Sequence, residues 1–164
     1  MKFVYLLMLF LVVSCLPEAT KNCTQEVPSS TWISLNQTQH LSDIAAIDGY
    51  LDGLLQVAVE HPSGIRYVIV QAGTGVGPCL ESFMSVTYTG KLLSNGTVFD
   101  SSSAPISFNL SQLILGWQIG LLEANRGTKM TLYIPSGLAY GSNAQPGIPA
   151  NSNLIFEIEL VDFN

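Results

Sequence analysis

Three stretches of this chain alternate apolar and polar residues with a period of two, and that pattern excludes most folds. Met84, Val86 and Tyr88 alternate with Ser85, Thr87 and Thr89. Met130, Leu132 and Ile134 alternate with Thr131 and Tyr133, and Leu154, Phe156, Ile158 and Leu160 alternate with Ile155, Glu157 and Glu159. Successive side chains of a strand point to opposite faces, so each stretch reads as a strand with one buried and one wet face. A further run, Ile65 to Val70, is strand-like. Asn95-Gly96 lies between two such runs and is a strong hairpin signal, because both residues tolerate positive φ. These strands predict an antiparallel sheet with one apolar face. The apolar segment from Leu113 to Leu122, carrying Trp117, suits one or two helical turns that cover it.

Bulk properties narrow the function classes. The 164 residues suggest one domain with a modest extension. Hydrophobic residues make up 48%, enough for a core, whereas charged residues make up only 11%. With six Lys and Arg and a net charge of -6, phosphate neutralisation is a poor prospect, and no nucleic-acid partner is expected. Cys23, Cys79, His40 and His61 offer no zinc-type spacing, so no metal site is expected.

The N-terminus carries a targeting signal. Lys2 precedes an uninterrupted apolar run from Phe3 to Val13, followed by Ser14 and Cys15. A bilayer-spanning helix needs about 20 residues. This run is shorter and fits a secretory signal, with residues 1–14 as the signal peptide. Val12-Val13-Ser14-Cys15 resembles a bacterial lipobox, with Val13 larger than the usual small residue. Cys15 is then the expected lipid-attachment site, giving a membrane partner through an N-terminal lipid, and Leu16 after it is compatible with outer-membrane sorting. Ordinary cleavage, leaving a secreted or periplasmic protein, is the alternative. Cys23 and Cys79 would then share an oxidising compartment, where they are able to pair. The position of Cys23 in an expected tether weighs against pairing.

Residues 15–37 are polar, with Pro and Ser and no periodicity, and read as a flexible tether. Trp32 is the exception there, either docked on the domain or loose. Leu41, Ile44, Ile47, Leu51, Leu54, Leu55 and Ala58 recur at helical spacing, which predicts a helix within residues 38–62, with Ser42 and Asp43 at its start. Gly49 and Gly53 weaken it by about 1 kcal/mol each relative to Ala, so its stripe must pack on the domain or on a second copy. Residues 63–164 form the main domain.

That domain also carries five motifs. Val86-Thr87-Tyr88-Thr89-Gly90, Phe99-Asp100-Ser101-Ser102, Leu115-Gly116-Trp117, Leu138-Ala139-Tyr140-Gly141 and Asn153-Leu154-Ile155-Phe156 occur in order. Together they resemble the FKBP family of peptidyl-prolyl cis-trans isomerases over residues 64–164, and the leading helix and lipobox resemble bacterial envelope members. The resemblance implies an α+β fold, a twisted antiparallel half-barrel wrapped around a short helix and preceded here by an N-terminal helix. It also implies a shallow apolar pocket for proline. Tyr88, Phe99 and Phe156 would form its walls and Trp117 its floor. Leu113 and Ile114 would line one side, and the Ile114 backbone N–H would donate to a substrate carbonyl. Tyr88, Asp100 and Tyr140 are the implied catalytic groups. Asp100 and Tyr140 would orient the peptide, and Ile148 would overhang the pocket from a loop. The implied partners are proline-containing polypeptides and macrolide inhibitors.

Two positions depart from the family pattern. Ile106 stands where a second aromatic is usual, and Gln145 where histidine is common. Both bear on substrate preference and drug affinity more than on the reaction. The aromatic set of Tyr88, Phe99, Trp117 and Phe156 read alone favours ordinary core packing; the motif set favours the pocket. Isomerisation breaks no covalent bond, so it needs no cofactor, no nucleophile triad and no carboxylate pair. A chaperone-like module that binds proline without efficient turnover is the alternative function. Four Asn-x-Ser/Thr sequences begin at Asn22, Asn36, Asn95 and Asn109. Beside a lipobox-like start they read as coincidence.

Overall fold

The structure is a computed structural model, described here for residues 23–164. The expected signal peptide and Cys15 lie outside the described residues. In chain order the elements are α1 (Ser30–Ile33), α2 (Gln37–Gly53), β1 (Val59–Glu60), β2 (Arg66–Gln71), β3 (Phe83–Leu92), β4 (Val98–Asn109), α3 (Leu115–Leu122), β5 (Lys129–Ile134) and β6 (Leu154–Phe163). A single six-stranded sheet runs β1-β2-β5-β6-β3-β4, and every pairing is antiparallel. Asn95 and Gly96 turn β3 into β4 as expected, with Gly96 at φ 72°.

The alternating residues sort as their period demands. Met84, Val86, Met130, Leu132, Ile134, Leu154, Phe156, Ile158 and Leu160 are all buried and share one core with Trp117, Ile119 and Leu121 of α3. Two glycines let α3 lie close to the sheet. A Cβ at Gly120 would stand 2.6 Å from Leu132 Cδ2, and one at Gly116 would collide with Ile134. Placed one helical turn apart, they open a flat strip on the face that meets β5.

The opposite face of the sheet is not uniformly wet. Tyr133 and Ile155 are register partners, and both point away from α3. Ile47 and Leu51 of α2 cover them, forming a second cluster with Leu93. Arg66 of β2, 7% exposed, ties this layer together. Its guanidinium donates to Asp48 at 2.9 and 3.1 Å and lies 3.4 Å from Glu60.

Three expectations about the N-terminal third need correction. The helix begins at Gln37 and ends at Gly53, capped by Asn36, whose side chain accepts from Gln39 N. Ser42 and Asp43 therefore lie inside the helix. Leu55, at φ 52°, turns the chain left-handed and stops it. The seven-residue stripe is only partly used. Ile47 and Leu51 are buried, but Leu41, Leu54 and Leu55 are 63%, 57% and 93% exposed, while the carboxylate residue Asp43 is 3% exposed. The tether is not free over its described half. Cys23 is disulfide-bonded to Cys79, Val27 is buried, and Trp32 and Leu35 pack on the main core. Thr24 adds a hydroxyl bond to Glu81 at 2.7 Å and accepts from Leu80 N. Polar sequence without periodicity hid this docking, because one disulfide and a few anchors suffice to hold an irregular segment.

Candidate active site

The strand-end pair Phe99-Asp100 sits at the mouth of a cleft between the sheet and the N-terminal end of α3. Tyr88 reaches it from β3, Phe99, Asp100 and Phe108 from β4, and Phe156 from β6. Leu113 and Ile114 enter from the turn before α3, Trp117 from α3 itself, and Tyr140 from the segment after β5. These nine residues line a cavity of about 160 Å³. Trp117, 5% exposed, is its buried centre. Its indole meets Phe156 at 5.2 Å and 90°, Tyr88 at 5.3 Å and 85°, and Phe108 at 6.2 Å and 87°. Phe99 stands edge-on to Phe156 at 5.6 Å. Edge-to-face geometry is the favoured arrangement for aromatic quadrupoles, so the rings hold one another in place. The indole N–H is buried and finds no acceptor among the described residues. Leaving such a group unpaired costs about 1–3 kcal/mol.

Gly90 is what allows the two phenylalanine walls to meet. A Cβ there would stand 2.7 Å from the Phe99 ring and 2.8 Å from Phe156. The glycine follows from close approach of side chains rather than from a turn.

Asp100 is the sole charged residue among those lining the cavity. The Tyr88 hydroxyl donates to its Oδ2 at 2.6 Å, and Ser101 N donates to Oδ1 at 2.9 Å. Burial pushes the Tyr88 phenol up to about 12, helped by this hydrogen bond and the adjacent negative charge. Burial raises the Tyr140 phenol too, again with help from Asp100. Both hydroxyls therefore stay protonated at neutral pH and act as donors. The site combines an apolar aromatic cup, one fixed carboxylate and two phenolic donors. It has no nucleophile–base pair, and the described residues contain no cluster of three or more His, Cys, Asp and Glu suited to a metal ion.

The sequence-based site residues converge here, with one exception. Ile148 is 5% exposed in the main core and is not among the lining residues. Its loop does reach the cup, since a Cβ added at Gly147 would stand 3.5 Å from Phe99 Cβ. A backbone bridge between Gln145 and Ile148, 2.9 Å in both directions, tightens the loop and turns the isoleucine inward. Ile106 pairs with Val86, is 40% exposed and lies off the cavity. Phe108 was missed by the sequence reading. The signal was its two-residue spacing from Ile106, which the unbroken register Met84–Phe108 and Val86–Ile106 places on the same face of the strand. A wider hollow of about 590 Å³ on the outer sheet face is lined by Thr87, Thr89, Thr131 and ion-paired Lys129 and Glu159. It is larger but more open, and Tyr88 is its one aromatic residue.

A half-open antiparallel sheet closed over a short helix, with an aromatic cup at one end, defines the class of domain. A family model described as FKBP-type peptidyl-prolyl cis-trans isomerase matches residues 78–161, and the chain belongs to that family. The chain is 46% identical over 103 residues to the FKBP-type peptidyl-prolyl cis-trans isomerase FkpA of Buchnera aphidicola, covering 61% of this chain and 42% of that protein. It is 42% identical over 103 residues to the peptidyl-prolyl cis-trans isomerase Mip of Coxiella burnetii, covering 60% and 44%. It thus spans about two fifths of the length of these curated relatives. The crystal structure of FkpA from Escherichia coli superposes with a TM-score of 0.67 at 34% identity, covering 78% of this chain and 64% of that one. A peptidyl-prolyl cis-trans isomerase from Pseudomonas syringae gives a TM-score of 0.66 at 29% identity, covering 85% and 98%.

Proposed function

We propose that this protein accelerates cis-trans rotation of X-Pro bonds in polypeptides of the bacterial cell envelope. The observation that carries the reading is the aromatic cup. Trp117 stands among Tyr88, Phe108 and Phe156, with Asp100 the one charge at the rim. The amide barrier of about 18–20 kcal/mol arises from resonance that gives the planar form its polarity. Unaided X-Pro rotation takes tens to hundreds of seconds. The twisted transition state has lost that resonance and is less polar, so an apolar wall favours it over the planar ground state. Only such differential binding speeds the reaction. Tyr88, tied to Asp100, keeps the carboxylate in one place. Tyr140 and the Ile114 N–H orient the peptide by donating to its carbonyls, while Trp117, Phe99, Phe108 and Phe156 hold the prolyl ring.

A protease-coupled assay on a short Leu-Pro peptide tests this. Acceleration at micromolar protein is expected. Asp100→Leu and Tyr140→Phe are each expected to lower kcat/KM by roughly tenfold, equivalent to about 1.4 kcal/mol of transition-state binding, with the fold retained. No acceleration by the wild type would leave a proline-binding module without turnover. The same cup is the expected site for macrolide inhibitors.

Location is proposed from two features. The apolar run of residues 3–13 before Cys15 suits export with lipid attachment at Cys15. The Cys23–Cys79 disulfide suits an oxidising compartment outside the cytoplasm. Acyl labelling that disappears in Cys15→Ala is the expected result. Unlabelled wild type would leave a soluble exported form.

A further inference from the structure

We infer that Asp43, on α2 and outside the family-matched segment, is a positioning residue for Tyr140; the inference rests on reading the aromatic cup as an isomerase site. Asp43 is 3% exposed. Carboxylates are almost never this buried unless partnered. Its Oδ2 accepts from Ser136 N at 3.0 Å and from Ser136 Oγ at 2.6 Å, and its Oδ1 accepts from Gln39 Nε2 at 2.7 Å. The Asp43 backbone carbonyl accepts from Asn153 Nδ2 at 3.3 Å, and Asn153 Oδ1 in turn accepts from Ser136 N at 3.0 Å.

Ser136 and Asn153 are 17 positions apart and mark the two ends of the excursion between β5 and β6. One helical residue therefore clamps both feet of the segment that carries Tyr140. The clamp continues inward. The Ser136 carbonyl accepts from Ala139 N at 3.0 Å and from Gly141 N at 2.8 Å, the two backbone neighbours of Tyr140. The Gly141 carbonyl accepts from Asn151 N at 2.7 Å on the returning arm. A donor aimed at a substrate carbonyl works only in a narrow geometry, and a misplacement of about 1 Å can cost roughly 10²-fold in rate. The helix before the isomerase domain thus sets the position of a phenol inside it.

The test uses the full chain and the Leu-Pro peptide assay. Asp43→Ala is expected to lower kcat/KM by about tenfold, a partial loss of orientation. Asp43→Asn, which keeps a side-chain oxygen for Ser136, is expected to recover much of the loss. In a Tyr140→Phe background, Asp43→Ala is expected to cost nothing further. Asp48→Ala removes the partner of Arg66 that also holds α2 but leaves Ser136 untouched. It is expected to lower stability while keeping kcat/KM within about twofold of wild type. Effects of Asp43→Ala and Tyr140→Phe that multiply, or an equal loss in Asp48→Ala, would overturn the inference and leave Asp43 as a fastener for α2. If Asp43→Ala does not fold, Ser136→Ala carries the same cycle. The Tyr140 ring resonance in NMR reads the clamp without turnover. A shift in Asp43→Asn or Ser136→Ala and none in Asp48→Ala supports it, even if the wild type proves not to isomerise. An unmoved resonance in all three sinks it.

Discussion

At the scale of single residues, the Tyr88–Asp100 bond links acid–base state to stability. The Tyr88 phenol is raised to about 12 in the folded protein, through burial first and the Asp100 hydrogen bond second. In the unfolded chain a tyrosine titrates near pH 10. The unfolded state therefore loses this proton first as pH rises. The stabilisation is fully present below about pH 10 and is lost as pH climbs towards about 12. Tyr67, Tyr133 and Tyr140 are shifted the same way and steepen the alkaline decline. Tyr88→Phe removes one contribution. It should be less stable than wild type by about 1 kcal/mol at neutral pH, and the gap should close between pH 10 and 12. Chemical denaturation at several pH values measures this. A gap of constant size would mean that the hydroxyl does not donate to the carboxylate.

At the scale of elements, the cup depends on how closely α3 lies on the sheet. Gly116 and Gly120 hold that separation, and Trp117 stands between them on the same short helix. Gly120→Ala places a methyl group 2.6 Å from Leu132, a side chain 0% exposed with no room to yield. Overpacking of this kind costs about 1–3 kcal/mol, against roughly 1 kcal/mol gained from better helix propensity. A net loss of stability is expected by thermal unfolding, with lowered isomerase activity as Trp117 moves off its partners. Neutral or increased stability would show that α3 can shift freely. In the sequence Gly116 is only the middle of the Leu115-Gly116-Trp117 motif, and Gly120 carries no signal at all. Nothing local says that a glycine faces a leucine from a strand downstream.

At the scale of the whole molecule, the disulfide and α2 bind the N-terminal segments to the domain. Cys23 and Cys79 are 56 positions apart with Cα atoms 5.0 Å apart. Closing a loop of this length stabilises by about 2–4 kcal/mol. Reduction, or Cys79→Ser, should lower Tm by roughly 5–15 °C for a protein of this size. Isomerase activity at low temperature should persist, since neither cysteine lines the cup. An unchanged Tm would mean that Val27, Trp32 and Leu35 hold the segment unaided.

The sequence by itself determined the strands from β2 onward, the Asn95-Gly96 hairpin, the buried face of the sheet and nearly all of the cup, but not β1, which lies in the stretch expected to be helical. Those features are written in short-range periodicity and in motifs whose spacing survives folding. Only the tertiary structure decided the rest. It buried Asp43 against Ser136, 93 positions away, and turned Ile148 into the core. It added Phe108 to the cup through its pairing with Met84, and it docked residues 23–37 through one distant cysteine. The physical reason is range. A period of two or three to four residues reports which side of an element is apolar. It carries no information about which partner arrives there, and a polar residue is buried only when a distant donor meets it.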